Sequence, residues 1–307
     1  MTSVLVTGAS GFIGAHVFRL LAREGHEVTG TWHGHEDRVP PVDEASGELR
    51  SVRLDLEDDA SIEAAFRAAW PEAVVHTAAL SELKACEVEP ERARRVNVEA
   101  TAKLARLCQA FGARLLFCST DQVFDGSLGD RSEEDEAKPI HTYGQTKLAA
   151  EREIARLLTH ATSVRIALVY GDSPSGDRSA SEKVVRGLRV GPPPRLFTDE
   201  RRSPVLVDDV ARVLVDLLAE RDLPLVHLGG PDAVTRWEFG VRVARAYGAD
   251  EGAIEAVRMA DLDLMPARPA DLTLDTRRLR ANVPRPPRGL DAALAELAGR
   301  APEVAAG

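Results

Sequence analysis

Two residues four apart, Tyr143 and Lys147, are the ones most able to do chemistry in this chain. They follow a Ser119-Thr120 pair in a stretch that reads Ser-Thr-Asp-Gln-Val-Phe-Asp-Gly, then an acidic loop, then Tyr-Gly-Gln-Thr-Lys. From Tyr143 to about residue 160 the pattern predicts a helix. At about 100° per residue, Tyr143, Lys147, Ala150, Ile154, Leu157 and Leu158 share one face, and Gln145, Ala149, Arg152, Glu153 and Arg156 the other. An ordinary surface lysine would lie on the polar face. Lys147 lies on the apolar one, where an ammonium needs a partner.

A free phenol titrates near ~10, too high for easy proton exchange at neutral pH. A cation about 6 Å away, at an effective dielectric of about 20, is worth roughly 2.8 kcal/mol, or about two pKa units. Lys147 is therefore expected to bring Tyr143 toward the range of a general acid. A hydroxyl from Thr120 or Ser119 could hold a substrate carbonyl beside it. Such a site lacks only a hydride donor.

The N-terminus offers a place for one. Val4, Leu5 and Val6 read as a buried strand, then Gly8-Ala9-Ser10-Gly11-Phe12-Ile13-Gly14, then a helix with Ile13, Val17, Leu20 and Leu21 on one face. Glycines in that order allow a tight turn and close backbone approach, and the helix N-terminus favours a pyrophosphate. A second strand, 26–32, ends without the acid that would bind a ribose 2′-hydroxyl. Thr31, His33 and Arg38 stand there instead, with His35 beside them and Glu36 and Asp37 farther into the loop. This pattern leans toward a 2′-phosphate, hence NADP(H), with NAD(H) possible. His33 and His35 have no evident third ligand, so no metal is expected.

The remaining elements position these residues. A strand at 49–54 ends on Asp55-Leu56, and a helix follows to Trp70, stopped by Pro71. The strand 73–76 opens into Thr77-Ala78-Ala79-Leu80, small enough for a cofactor to approach the backbone. A helix from Pro90 to Phe111 has Ala93, Asn97, Ala100, Leu104, Cys108 and Phe111 inward; a buried Asn97 must be hydrogen-bonded, and a tether to a strand loop is expected over a water in a proton path. Strands at 114–118 and 163–169 follow, the first delivering Ser119-Thr120 at its C-terminal end, where open α/β sheets bind ligands. The alternation specifies an α/β fold, a Rossmann-type doubly wound parallel sheet. After Tyr170-Gly171 the texture changes to Gly, Pro, Ser and Arg through residue 204. A helix at 205–220 is expected to return to the first sheet. A strand at 225–228 comes next, and Thr235 to Glu238 matches a capping box. The arginines at 277, 278 and 280 read as a solvated face.

Composition is that of an ordinary globular chain: 307 residues, 44% hydrophobic and 29% charged. A net charge of −10 argues against nucleic acid or a membrane surface as partner. Three cysteines without a framework, and no signal-peptide or membrane-span pattern, lead us to expect a cytoplasmic protein.

Together these pieces resemble the extended short-chain dehydrogenase/reductase family over nearly the whole chain. The two segments around Thr120 and Tyr143 are similar to those of its dTDP-4-dehydrorhamnose reductase subgroup, and Ala78-Ala79, Glu87, Pro90, Asn97 and Asp199 before Pro204 also fit. The resemblance implies an NADP-binding Rossmann domain over 1–171, with 205–222 returning to it, and a smaller C-terminal α/β substrate domain made of 172–204 and 223–307. It implies Thr120, Tyr143 and Lys147 as the catalytic trio. It implies a cofactor lined by Gly8, Ser10, Gly11, Phe12, Ile13, Gly14, Asp55, Leu56, Ala78 and Ala79, together with Thr31, His33, Arg38, Ser119, Tyr143 and Lys147. A nucleotide-sugar substrate would meet Leu80, Asp121, Gln122, Val123, Arg202 and Arg268, the two arginines serving a diphosphate, unless both pair with acids of their own loops. A homodimer is possible. Gln122 replaces the usual Tyr, Lys84 stands where Asp is common, and Leu168 where many have Trp, so the sugar is left open. Three readings follow: a reductase of a 4-keto nucleotide sugar, another nucleotide-sugar enzyme such as an epimerase, or a regulatory subunit like that of methionine adenosyltransferase, which belongs to the same subgroup.

Overall fold

Three strands of one parallel sheet, Ala73–His76, Arg114–Thr120 and Ala161–Ile166, are buried at every residue, as expected of parallel strands covered on both faces. The computed structural model describes residues 2–41, 49–220 and 222–300. In chain order it has β1 (Ser3–Thr7), α1 (Phe12–Arg23), β2 (Glu27–Trp32), β3 (Leu49–Arg53), α2 (Asp59–Ala69) and β4 (Ala73–His76). Then come α3 (Leu83–Val88), α4 (Pro90–Arg94), a π-helical turn Arg95–Glu99, α5 (Ala100–Phe111), β5 (Arg114–Thr120), α6 (Thr142–Leu157) and β6 (Ala161–Ile166). The rest is β7 (Val169–Tyr170), α7 (Ala180–Arg189), β8 (Arg195–Phe197), β9 (Arg201–Arg202), β10 (Val205–Leu206), α8 (Val207–Asp216), β11 (Leu225–Leu228), β12 (Val234–Thr235), α9 (Arg236–Ala246), β13 (Glu255–Val257), α10 (Arg277–Asn282) and α11 (Leu290–Arg300).

Seven parallel strands form the central sheet in the order β11-β6-β5-β4-β1-β2-β3. Chain order reverses between β1 and β4, which opens a crevice at their C-terminal ends. One face is covered by α1 and α8, through Val17, Phe18, Leu21, Val210 and Leu214. The other is covered by α2, α5 and α6, through Ile62, Phe66, Leu104, Cys108 and Ile154. A second lobe packs α7, α9 and α11 around Tyr170, Phe239 and Leu294.

α8 packs beside α1 on the central sheet, and the division expected at 223 does not match the sheet. β11 pairs with β6 in the central sheet, and Leu279 and Val283 join the core under α8. Residues 225–228 and α10 thus belong to the first lobe, because an apolar strand finds an open edge beside β6. The helix expected over 90–111 runs without interruption, with the π turn inside it, but Phe111 is exposed rather than inward. Its ring packs against the buried Phe66 at 5.3 Å and the exposed Trp70 at 4.9 Å between centroids. The strand expected over 163–169 is two strands, β6 and β7.

Candidate active site

The turn after β1 is built by glycine. Gly8 has φ +73°, and a Cβ there would stand 3.1 Å from the Ala78 backbone. A Cβ on Gly14 would stand 2.1 Å from the Gly8 carbonyl oxygen, so Gly14 serves close packing of α1 on the turn rather than lining the cleft. The Gly8 N–H donates to the Thr31 hydroxyl at 3.1 Å, which ties the turn to β2. Thr7 and His76 join β1 to β4: the hydroxyl lies 2.7 Å from His76 Nδ1, and the Thr77 and Ala78 N–H groups donate to it.

These segments wall a cleft of about 560 Å³ along the C-terminal edge of the sheet. Of the residues expected at the cofactor, Gly8, Ser10, Gly11, Phe12, Ile13, Thr31, His33, Arg38, Asp55, Leu56, Ala78, Ala79, Ser119, Tyr143 and Lys147 all line it, and Leu80 joins them. Asp55 is 3.4 Å from His33, and its carboxyl is held below the usual range first by the Glu57 N–H and also by His33. Glu36 accepts a hydrogen bond from the Ser51 hydroxyl and does not line the cleft. His35, read beside His33 in the sequence, lines the cleft too; sequence reasoning missed Arg92, Val169 and Arg178 on its wall. Arg178 comes from the loop after β7, far along the chain, and has no local signal. Small residues, bent backbone and the free N-terminus of α1 make this cleft fit a dinucleotide.

Asn97 makes the tether expected of it. Its Oδ1 accepts from the Leu80 N–H at 2.9 Å, and its Nδ2 donates to the Leu80 carbonyl at 2.9 Å and to Thr146 at 3.1 Å. The π turn that carries Asn97 points the amide at the loop after β4.

α6 brings Tyr143 and Lys147 inward as its face predicts; Lys147 is 2% exposed. Their electrostatics differ from the expectation. The Thr120 side chain stands beside the Tyr143 phenol, which is pushed up, first by burial and then by the Asp121 carboxyl. The Lys147 ammonium rests over the Phe117 ring at 3.9 Å. Burial brings Lys147 itself down to about 8. The Ser119 hydroxyl donates to the buried Glu151, so of the two side chains Thr120 is the one that acts on the phenol.

The residues expected at the substrate divide. Asp121 is buried, accepts from Thr120 at 3.2 Å, and is pushed up by burial to about 6. Val123 is fully buried with Phe124, Leu148 and Leu272, so it is a core residue and not a substrate contact. Gln122 is half-buried after Thr120. Arg202 and Arg268 meet at Glu200, which is 1% exposed. Arg268 binds it bidentately at 2.9 and 3.0 Å, and Arg202 lies 3.0 Å from it. Arg236, which sequence reasoning treated only as part of a helix cap, completes the cluster and has a buried Nη1 without a partner. The imidazole of His141 caps α6 through Nδ1, and its Nε2 is likewise buried and unpaired. Among the described residues no group of three or more metal-ligating side chains converges, and no helix is long and apolar enough to cross a membrane.

Comparison with known proteins agrees with this geometry. The profile of the RmlD substrate binding domain family matches residues 1–301. The probable low-salt glycan biosynthesis reductase Agl14 of Haloferax volcanii is 32% identical over 91% of either chain. The methionine adenosyltransferase 2 subunit beta of Danio rerio is 27% identical over 90% of this chain and 83% of its own. Among solved structures, MoeE5 in complex with UDP-glucuronic acid and NAD superposes with a TM-score of 0.80 at 28% identity, over 97% of this chain and 98% of its own. A two-lobed Rossmann fold with this cleft and a profile match across it leave one conclusion: the chain belongs to the RmlD-type, dTDP-4-dehydrorhamnose reductase-like branch of the extended short-chain dehydrogenases/reductases, a group of NAD(P)-dependent nucleotide-sugar reductases and epimerases.

Proposed function

We propose that the chain is an NADPH-dependent reductase of a 4-keto nucleotide sugar, of the dTDP-4-dehydrorhamnose reductase type. The observation that carries this reading is Tyr143 and Lys147 one turn apart on the inward face of α6, both lining the nucleotide cleft, with the Thr120 side chain beside the phenol. A reduced nicotinamide bound in that cleft supplies the hydride. Thr120 and Tyr143 hold the carbonyl oxygen, and Tyr143 gives its proton to the alkoxide as charge develops there. The 2′-phosphate preference is supported by Arg38 and Arg178 on the cleft wall and by Glu36 facing Ser51 instead of the cleft. Arg202, Arg236 and Arg268 outnumber the carboxylate they surround, Glu200, which suits the cluster to a diphosphate.

A regulatory subunit with little turnover is the second reading, favoured by the likeness to the methionine adenosyltransferase subunit. Following NADPH oxidation with dTDP- and UDP-linked 4-keto sugars separates the two, with calorimetry on dTDP and UDP as the second arm. We expect turnover, and an Arg268→Ala variant that binds the nucleotide more weakly while binding NADPH as before. If the wild type binds neither nucleotide and turns over no 4-keto sugar, the regulatory reading holds.

A further inference from the structure

His76 ends β4, where the cleft-lining loop Thr77-Ala78-Ala79-Leu80 begins. It is 1% exposed and does not line the cleft itself, and the reading above gives its ring no part in the chemistry. Each ring nitrogen meets a buried hydroxyl: Nδ1 lies 2.7 Å from Thr7 Oγ1, and Nε2 lies 3.0 Å from Thr101 Oγ1.

The hydroxyls fix the direction of both bonds. Thr7 Oγ1 already accepts two N–H groups, from Thr77 at 3.1 Å and from Ala78 at 3.2 Å, which fills its two lone pairs. Its own proton is left for His76 Nδ1, so that nitrogen accepts. Thr101 donates its proton to the Asn97 carbonyl at 2.8 Å, so toward the ring its oxygen accepts and Nε2 donates. Each end independently requires the same neutral tautomer, with the proton on Nε2. Burial, and then the Lys147 ammonium, keep the ring neutral by pushing it down to about 3.

This series of bonds starts at one end of the cleft loop and reaches the other. Beyond Thr101, the Asn97 side chain holds both the N–H and the carbonyl of Leu80. It also donates to Thr146, whose hydroxyl donates to the Tyr143 carbonyl at 2.8 Å, in the first turn of α6. β1 and β4 need none of this to pair. Thr7 and His76 are already partners in the backbone register, and two apolar side chains would fill the space with no polar group to satisfy. What the ring adds is direction. With Nδ1 bare, Thr7 turns its lone pairs to the loop. A proton on Nδ1 would compete for one of them, and Thr77 or Ala78 would lose the acceptor of its N–H.

We propose that His76 is a positioning residue for the dinucleotide: as the Nε2–H tautomer it orients the Thr7 hydroxyl, which fixes the backbone of Thr77 and Ala78 at the cleft. The proposal rests on that cleft holding a nicotinamide nucleotide, as in the reading above, and not on the sugar.

The chain has eight histidines, few enough for two-bond proton–nitrogen correlation spectra of the full-length protein labelled with ¹⁵N-histidine. A His76→Asn variant assigns the His76 signals. The wild type is expected to show a bare Nδ1 and a protonated Nε2. Calorimetry with NADPH then reads the loop. Thr7→Val keeps the side-chain shape but leaves both loop N–H groups without an acceptor. Its NADPH affinity should fall by about 10-fold or more, while Thr7→Ser should bind within about threefold of the wild type. His76→Phe, a ring with no acceptor, should lose affinity in the same way, and His76→Asn, with an amide oxygen near the Nδ1 position, should recover most of it. A merely structural histidine would lower the urea midpoint on replacement and leave the affinity of the folded protein alone. An Nδ1–H tautomer overturns the proposal. So does unchanged NADPH affinity in folded Thr7→Val, or Thr7→Ser binding no better than Thr7→Val. If His76→Phe does not fold, the wild-type tautomer and the two Thr7 variants decide. A wild type that binds no nicotinamide nucleotide also overturns it. The expected tautomer and affinities in a wild type that turns over no 4-keto sugar would sink the reductase reading and leave this one standing.

Discussion

Tyr143 shows how burial and charge compete at one residue. The sequence predicts a phenol eased toward neutrality by a nearby ammonium, and the folded site raises it instead, through desolvation and the Asp121 carboxyl. A phenol that holds its proton firmly is still a competent donor to an alkoxide, whose affinity for a proton is higher by several units. It is a poor base for the reverse reaction. The donor role we propose for Tyr143 is therefore compatible with the raised phenol, and the oxidation direction should be slow near neutral pH. Tyr143→Phe is expected to lose turnover by about 10²-fold or more while NADPH binding, followed by nucleotide fluorescence, stays within a few-fold of wild type. A variant with near-normal turnover would remove Tyr143 from the mechanism.

At the scale of elements, what was legible depended on how local its cause is. The β1 turn, the inward face of α6 and the delivery of Thr120 at the end of β5 follow from spacing within a dozen residues, and all are observed. Partners far apart in the chain left no such signal. Glu151 with Arg165, Glu200 with Arg202 and Arg268, and the placing of β11 at the sheet edge required the fold. Val123 was misjudged because it adjoins site residues while its side chain turns to the core. Arg178 is the clearest case on the cleft wall. Its loop is stiffened by the Ser179–Glu182 capping box, by Ser173 bonded to Glu182 at 2.7 Å, and by His16 of α1, 2.8 Å from the Asp172 carbonyl. That stiffness presents Arg178 to the cleft wall that Arg38 shares. Replacing Arg38 by Ala should weaken NADPH by about 10- to 100-fold and leave NADH nearly unchanged, with Arg178→Ala showing a smaller effect of the same kind. Equal losses for both cofactors would mean that neither guanidinium reads the 2′-phosphate.

The whole molecule carries its acid sensitivity in histidines that the sheet buries. His76 lies between Thr7 and Thr101 at the crevice, and burial with the Lys147 charge pushes it down to about 3. His227 lies on the edge strand, its Nδ1 3.0 Å from the Arg131 carbonyl, and burial with the Arg165 charge pushes it down to about 4. In the unfolded chain both titrate near ~6.5. Their folded values are depressed, so the unfolded chain binds more protons below about 6.5 and stability falls as pH falls. For two such groups the slope reaches about 2.7 kcal/mol per pH unit until the native imidazoles protonate near 4 and 3. Asp121, raised to about 6, takes up its proton early in the folded state and offsets up to about half of that slope down to pH ~4. Urea unfolding measured from pH 7.5 to 4.5 should therefore lose several kcal/mol, beginning below 6.5. His227→Gln, which has no proton to gain, should flatten the curve by about 1.4 kcal/mol per unit over the same window. A wild-type stability level across that window would show that both imidazoles titrate normally and that the sheet gives them access to water.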